Sequence, residues 1–271
     1  MEFVKAHGTG NDFVVVEDLT DRYRITPQLA RAVCDRHFGV GADGLIRIAP
    51  GGETPFFMDY RNADGSLAEM CGNGVRVVGK YLGDRGLVGP TLDLETRAGV
   101  KHLELHADDR GGIDRVTVDM GPPTLEDERT LEMDGEQVIA TCLSMGNPHA
   151  VVFVDDVDKA AVTTLGPRLE NHPTFAPAKT NVEFAQVVDR ATVRQRTWER
   201  GVGETLACGT GACAVAVAAQ VRGLGGRPLV VELRGGRLEL DWTPGGTVRM
   251  TGPAREVAHG TLTDDFLASV R

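Results

Sequence analysis

Met70-Cys71-Gly72-Asn73-Gly74 returns in altered form as Ala207-Cys208-Gly209-Thr210-Gly211, with the two cysteines 137 residues apart. Other residues keep step with this pair. Gly10-Asn11 is matched by Gly146-Asn147 at an offset of 136, and Asn62 by Glu199 at 137. The offset is close to half of the 271 residues, so it reads as two similar domains and not as a short-period solenoid. Each Cys-Gly-x-Gly turn opens an expected helix, Cys71–Leu82 in the first half and Cys208–Arg222 in the second. The run Ala212–Ala219 is apolar on every side, which marks a helix buried all round.

Between the helices lie short runs with alternating or β-branched residues. They are Phe13–Val16, Leu92–Glu95, Leu103–His106 and Val116–Asp119, then Ala150–Val154, Val182–Val188, Thr192–Trp198, Leu229–Leu233, Leu238–Trp242 and Val248–Thr251. Period-two patterning at short spacing reads as antiparallel sheet. Strands wrapped around the apolar helix would make a small barrel-like domain. Pro27–His37 is expected as a further helix, with Thr26 as cap and Pro27 at the first position. Asp264–Val270 is expected as a short terminal one. Asp108–Asp114 is polar and Gly-rich, so the domain boundary is placed there. The expected N-terminal domain is 1–113 plus 261–271, carrying Cys71; the C-terminal domain is 114–260, carrying Cys208.

A net charge of −10 argues against nucleic-acid binding, which needs clustered Lys and Arg. No apolar run approaches the roughly 20 residues of a membrane helix. The start, Met1–Lys5, reads as neither a signal nor a transit peptide. Five cysteines, an odd number without Cys-x-x-Cys spacing, fit a reducing cytoplasm. Cys34, Cys142 and Cys213 lack a glycine setting and are read as core.

A glycine turn before a helix aims backbone N–H groups and a partial positive charge at one point, where a carboxylate can bind. The same field is expected to lower the pKa of a thiol placed there. Two such thiols, one ionised and one protonated, could invert a carbon centre by exchanging roles as base and acid. Each must approach the carbon to ~3–3.5 Å, so the two sulfurs would flank it roughly 6–7 Å apart. A disulfide between Cys71 and Cys208 is the alternative pairing, and demands sulfurs at about 2.05 Å. Helix dipoles acting in a dry site could stabilise the carbanion, and an electron-sink cofactor is the other solution. No cofactor signature is present. Glu199-Arg200-Gly201 precedes Cys208 as Asn62 precedes Cys71, by nine residues in each half. A Glu could hold an ammonium there, and an Arg could clamp a carboxylate. His149 could relay a proton or serve as a satisfied core histidine. Gly39–Gly44 spells Gly-x-Gly-x-x-Gly but follows a helix and precedes a strand, the wrong order for a dinucleotide site. His102 and His106 have no third partner nearby, so no metal is expected.

These residues resemble the diaminopimelate epimerase family. The resemblance runs from His7–Phe13 through Arg61–Ser66, Met70–Arg76, Met145–His149, Thr180–Val182 and Glu199–Thr205 to Ala207–Cys213, and so spans the chain in order. It implies an α/β fold of the α+β type: two pseudo-symmetric domains, each a mainly antiparallel, barrel-like sheet around a central helix. It implies pyridoxal-independent epimerisation of LL-2,6-diaminopimelate to the meso isomer by a cytoplasmic homodimer with no cofactor and no metal. By position, Cys71 and Cys208 would be the acid–base thiols, helped by His149 and Glu199. The backbone of Gly72, Asn73, Gly209 and Thr210 would hold the reacting carboxylate. Glu199 and the Arg200 carbonyl region would hold the ammonium. Asn62, Asn181 and the Arg200 side chain would hold the distal end, with Asn11 and Asn147 lining the site.

Two positions depart from the family pattern. Gly44 stands where many members have Gln, and Ala150 where Cys is frequent. A proline or hydroxyproline racemase-like enzyme also sets two cysteines on glycine turns, but has His where Asn73 stands and would leave Arg200, Asn62 and Asn181 idle. A non-catalytic amino-acid binder would not need two thiols.

Overall fold

In the computed structural model, which describes residues 1–133 and 135–270, the chain divides into two units. One is Met1–Val118 with Gly252–Arg271, the other Asp119–Thr251. The expected breaks at 113/114 and 260/261 are therefore displaced, and strand pairing explains both. Ile113–Asp119 pairs with Gly99–Ala107, and Arg255–Thr261 pairs with Glu2–Gly8, so each is held by the first unit.

The first unit runs β1 (Glu2–Gly8), β2 (Asn11–Glu17), α1 (Pro27–Cys34), β3 (Gly44–Pro50), β4 (Phe56–Asn62), α2 (Gly72–Asp84), β5 (Thr91–Thr96), β6 (Gly99–Ala107) and β7 (Ile113–Asp119). The second runs β8 (Thr124–Met133), β9 (Glu136–Ser144), β10 (Pro148–Phe153), α3 (Val162–Glu170), β11 (Asn181–Val187), β12 (Thr192–Glu199), β13 (Gly203–Thr205), α4 (Gly209–Val221), β14 (Leu229–Leu233), β15 (Gly236–Trp242) and β16 (Val248–Pro253). The chain then returns to the first unit with β17 (Arg255–Thr261) and α5 (Asp264–Ser269).

The same succession of pairings is built twice. In the first unit β1–β2 is antiparallel, β2–β3 parallel, β3–β4 antiparallel, β4–β5 parallel and β5–β6 antiparallel. In the second, β9–β10, β10–β11, β11–β12, β12–β14 and β14–β15 repeat that alternation. Each parallel pair spans a helical crossover, because parallel neighbours cannot be joined by a tight hairpin. The helices α1 and α3 fill the first crossover, α2 and α4 the second. The sheets are thus mainly antiparallel with parallel pairs where the helices enter.

The two crossover helices after the cysteine turns form the cores, as the patterning predicts. From Ala212 to Ala219 every residue of α4 has no exposure. In α2, Val75, Val77, Val78 and Leu82 are buried. The helix α1 stops at Cys34 and not at His37, because Asp35 turns extended and its carboxylate accepts His37 N and Phe38 N at 2.8 and 2.7 Å. The terminal α5 packs Phe266 and Leu267 against the cluster of Val14, Val33 and Leu262 in the first unit. Among the described residues no helix is long and apolar enough to cross a membrane.

Candidate active site

In the first unit Cys71 stands immediately before α2, extended at φ −140° and ψ 115°, and its carbonyl accepts Val75 N at 2.9 Å. Gly72 and Asn73 open the helix, so the first-turn N–H groups and the positive end of the helix dipole lie next to the thiol-bearing residue. Cys71 Sγ donates to Asn11 Oδ1 at 3.4 Å, and Asn73 Nδ2 donates to the same oxygen at 3.4 Å. Asn11 Nδ2 donates to Asp43 Oδ2 at 2.8 Å, and Asp43 takes Arg36 Nη2 at 2.7 Å. Beneath the turn the wholly buried Arg76 donates from Nη2 to Asn73 Oδ1 at 2.8 Å and to Thr9 Oγ1 at 3.0 Å.

In the second unit Cys208 holds the same place before α4, at φ −115° and ψ 115°, and its carbonyl accepts Ala212 N at 2.9 Å. Its sulfur accepts Gly211 N at 3.4 Å and lies 3.5 Å from Thr210 Oγ1. The carboxylate of Glu199, the last residue of β12, accepts Thr205 Oγ1. His149 Nε2 lies 3.0 Å from Asn147 Oδ1, and Nδ1 lies 2.8 Å from Glu183 Oε1. Asn147 Nδ2 donates to Thr210 Oγ1 at 3.3 Å. One network therefore joins Cys208, Thr210, Asn147, His149 and Glu183.

The electrostatics correct one expectation. A thiol at a helix N-terminus was expected to ionise easily. At Cys208 burial pushes the thiol well above its ordinary value, and the charges of Glu199 and Glu183 push the same way, outweighing Thr210 and Gly211 N–H. Burial also raises Glu199, aided by the charge of Glu183 and opposed by Thr205, His149 and Cys208.

The remaining site candidates fall on these two frames. Asn181 is buried at the start of β11; its Nδ2 donates to Pro148 O at 2.8 Å and its Oδ1 accepts Arg200 N at 3.0 Å. Arg200 is exposed and donates from Nη1 to Ala178 O at 2.9 Å. Asn62 ends β4 opposite Gly44, with Nδ2 donating to Ser66 Oγ at 3.0 Å. Cys34, Cys142 and Cys213 are buried, and burial raises the first two thiols to about 12 and about 11. His102 pairs with Asp93 and His106 with Thr117, each on the sheet.

Gly44 acquires a structural reason. A Cβ there would meet Tyr60 Cε2 at 2.3 Å and Arg61 O at 2.7 Å. Tyr60, packed edge-on against Phe13 with ring centroids 5.7 Å apart, takes the space a side chain at 44 would need.

Sequence reasoning missed Asp43, Arg76 and Glu183. A signal for Glu183 was present, since a charged residue interrupts the apolar run Val182–Ala185, all of it buried.

The fold is shared with solved racemases and epimerases. A probable proline racemase from Agrobacterium radiobacter K84 matches with a TM-score of 0.74 at 17% identity, covering 97% of this chain and 93% of its own. A hydroxyproline epimerase from Agrobacterium vitis matches with a TM-score of 0.71 at 18% identity, covering 96% and 90%. Those likenesses are of fold. Sequence goes further: the diaminopimelate epimerase family model matches residues 3–126 and 141–257. The diaminopimelate epimerase of Leptospira biflexa is 46% identical over 279 residues, covering 97% of this chain and 99% of that protein. That of Moorella thermoacetica is 48% identical over 276 residues, covering 96% and 98%. The chain belongs to the diaminopimelate epimerase family.

Proposed function

We propose that the protein epimerises LL-2,6-diaminopimelate to the meso isomer, with Cys71 and Cys208 as its two acid–base groups. The observation that carries this reading is the repetition itself. A cysteine precedes the second crossover helix of each unit, with a glycine turn and a polar Asn beside it. The chain's membership of the family supplies the substrate class.

Inversion proceeds in two proton transfers. One cysteine, as thiolate, removes the α-proton, and the electron pair is left on the α-carbon and its carboxylate. The other, as thiol, delivers a proton to the opposite face, so each cysteine ends in the state its partner began in. The α-proton is much less acidic than a thiol, and the carbanion needs electrostatic help. First-turn N–H groups of α2 and α4, at Gly72, Asn73, Gly209 and Thr210, supply it by binding the carboxylate, in surroundings where fixed dipoles count for more than in water. Glu199 and the Arg200 carbonyl take the α-ammonium. Asn62, Asn181 and the Arg200 side chain take the distal amino-acid end, while Asn11 and Asn147 line the site. Glu199 and His149 assist Cys208. The enzyme works without pyridoxal phosphate, as a cytoplasmic homodimer.

Purified protein tests this reading. Without added pyridoxal phosphate it is expected to turn over LL-diaminopimelate and not L-proline or trans-4-hydroxy-L-proline. In deuterated water the product should carry deuterium at the inverted carbon. Turnover of proline in place of diaminopimelate, or strict dependence on pyridoxal phosphate, would overturn it.

A further inference from the structure

Strand register aligns the two units residue by residue. Phe13 faces Gly44 across β2–β3, and His149 faces Asn181 across β10–β11. Phe13 therefore corresponds to His149, and two residues along the partner strands Ile46 corresponds to Glu183. The glycines of the two cysteine turns show that Ile46 and Glu183 occupy the same place. A Cβ on Gly74 would meet Ile46 Cδ1 at 3.0 Å and Phe13 Cζ at 3.6 Å. A Cβ on Gly211 would meet Glu183 Oε1 at 2.7 Å and Gln195 Nε2 at 3.2 Å. At this glycine the first unit packs hydrocarbon; the second packs a carboxylate and the Gln195 amide.

Hydrocarbon would serve packing better. The side chains of Glu183 and His149 both have 0% exposure. Glu183 Oε1 is spent on His149 Nδ1 at 2.8 Å, and Oε2 is buried with no hydrogen-bond partner among the described residues. A charge so placed is unfavourable for stability unless something uses it. Among the described residues its hydrogen-bonded route outward is the chain through His149, Asn147 and Thr210 to the Cys208 sulfur. The charged groups acting on that thiol, among the described residues, are Glu199 from β12 and Glu183 from β11, and His149 from β10 is paired with Glu183.

We infer that Glu183 is a positioning residue for Cys208: through His149 and Asn147 it holds Thr210 against the sulfur. The inference rests on the two-thiol reading above. The charge of Glu183 acts on this thiol in the same direction as burial and Glu199, upward.

The test is iodoacetamide alkylation of each cysteine in the full-length protein across pH, followed by peptide mass spectrometry. In the native enzyme the alkylation midpoint of Cys208 is expected above about 8.5, the ordinary thiol value. Glu183→Gln should lower the Cys208 midpoint by one pH unit or more, equivalent to about tenfold faster alkylation below it, and leave Cys71 unchanged. It should also lower kcat with little change in KM. A native Cys208 midpoint at or below about 8.5, the ordinary thiol value, overturns the inference without any variant. So does a Cys208 midpoint that ignores Glu183→Gln, or Glu183→Met where the Gln variant does not fold. The two-thiol reading fails separately, if Cys71→Ser or Cys208→Ser retains turnover.

Discussion

Asp43 Oδ2 accepts Asn11 Nδ2 at 2.8 Å, and that bond decides which end of the Asn11 amide faces Cys71. With its nitrogen committed to Asp43, Asn11 presents Oδ1 to the Cys71 thiol and to Asn73 Nδ2. Asp43 is itself held by Arg36. Asp43→Ala leaves the Asn11 amide free to rotate. A hydrogen bond to a charged group contributes about 1.5–3 kcal/mol, and losing half of it from the transition state lowers kcat by about four- to tenfold. Steady-state kinetics should show that loss in kcat more than in KM.

The pH dependence of activity should follow Glu199. Its carboxyl is raised above the ordinary value, near 4.3, chiefly by burial. Protonated Glu199 cannot hold an ammonium, so kcat/KM should fall as pH drops through this raised value, earlier than an exposed Glu would allow. Folding responds in the opposite sense. The folded state binds this proton more tightly than the unfolded chain, so the stability it contributes at low pH is lost as pH rises through the raised value. Glu199→Gln should therefore raise the unfolding temperature at neutral pH while it abolishes turnover. An acid limb at the ordinary carboxylate position, or a less stable Gln variant, would count against this account.

Gly211→Ala should damage the enzyme more than Gly74→Ala. At Gly211 the new methyl would press on Glu183 Oε1 at 2.7 Å, an atom held by His149, whereas at Gly74 it would meet the end of Ile46 at 3.0 Å. Overpacking a core site is destabilising by about 1–3 kcal/mol. Denaturant unfolding should place Gly211→Ala at the upper part of that range, with kcat reduced, and Gly74→Ala at or below its lower end.

Gly44→Gln should be destabilising and not a gain of substrate contact. The side chain would collide with Tyr60 and with the Arg61 carbonyl. Pairing it with Tyr60→Ala opens the space but removes the edge-on contact with Phe13, and a large-to-small change in a core destabilises by about 3–5 kcal/mol. Thermal unfolding of the single and double variants checks both expectations.

Local pattern made much of the frame legible in the sequence. The Cys-Gly-x-Gly turns, the helices behind them and the repeated register of Asn11 with Asn147 can all be read from residue order. The apolar run Ala212–Ala219 announced a buried helix and is one. The helix α3 was not legible, because Gly166 and Pro167 interrupt its pattern. The domain limits were misplaced because strand pairing between distant segments, β17 with β1, outweighs local composition. Asp43, Arg76 and Glu183 escaped for a related reason. Each acts on a residue distant in sequence: Asp43 on Asn11, Arg76 on Thr9 and Glu183 on His149. The charge interrupting Val182–Ala185, read with an alignment of the two halves that sets Glu183 opposite Ile46, would have exposed the last.

The central claim is that two thiols share the proton transfers, and the epimerisation rates of Cys71→Ser and Cys208→Ser test it most directly. General acid–base catalysis contributes about 10²–10⁴-fold, so each variant is expected to lose at least a hundredfold in kcat while unfolding like the parent protein. A folded variant of either cysteine that turns over diaminopimelate within about threefold of the parent, well short of any such contribution, would contradict the account.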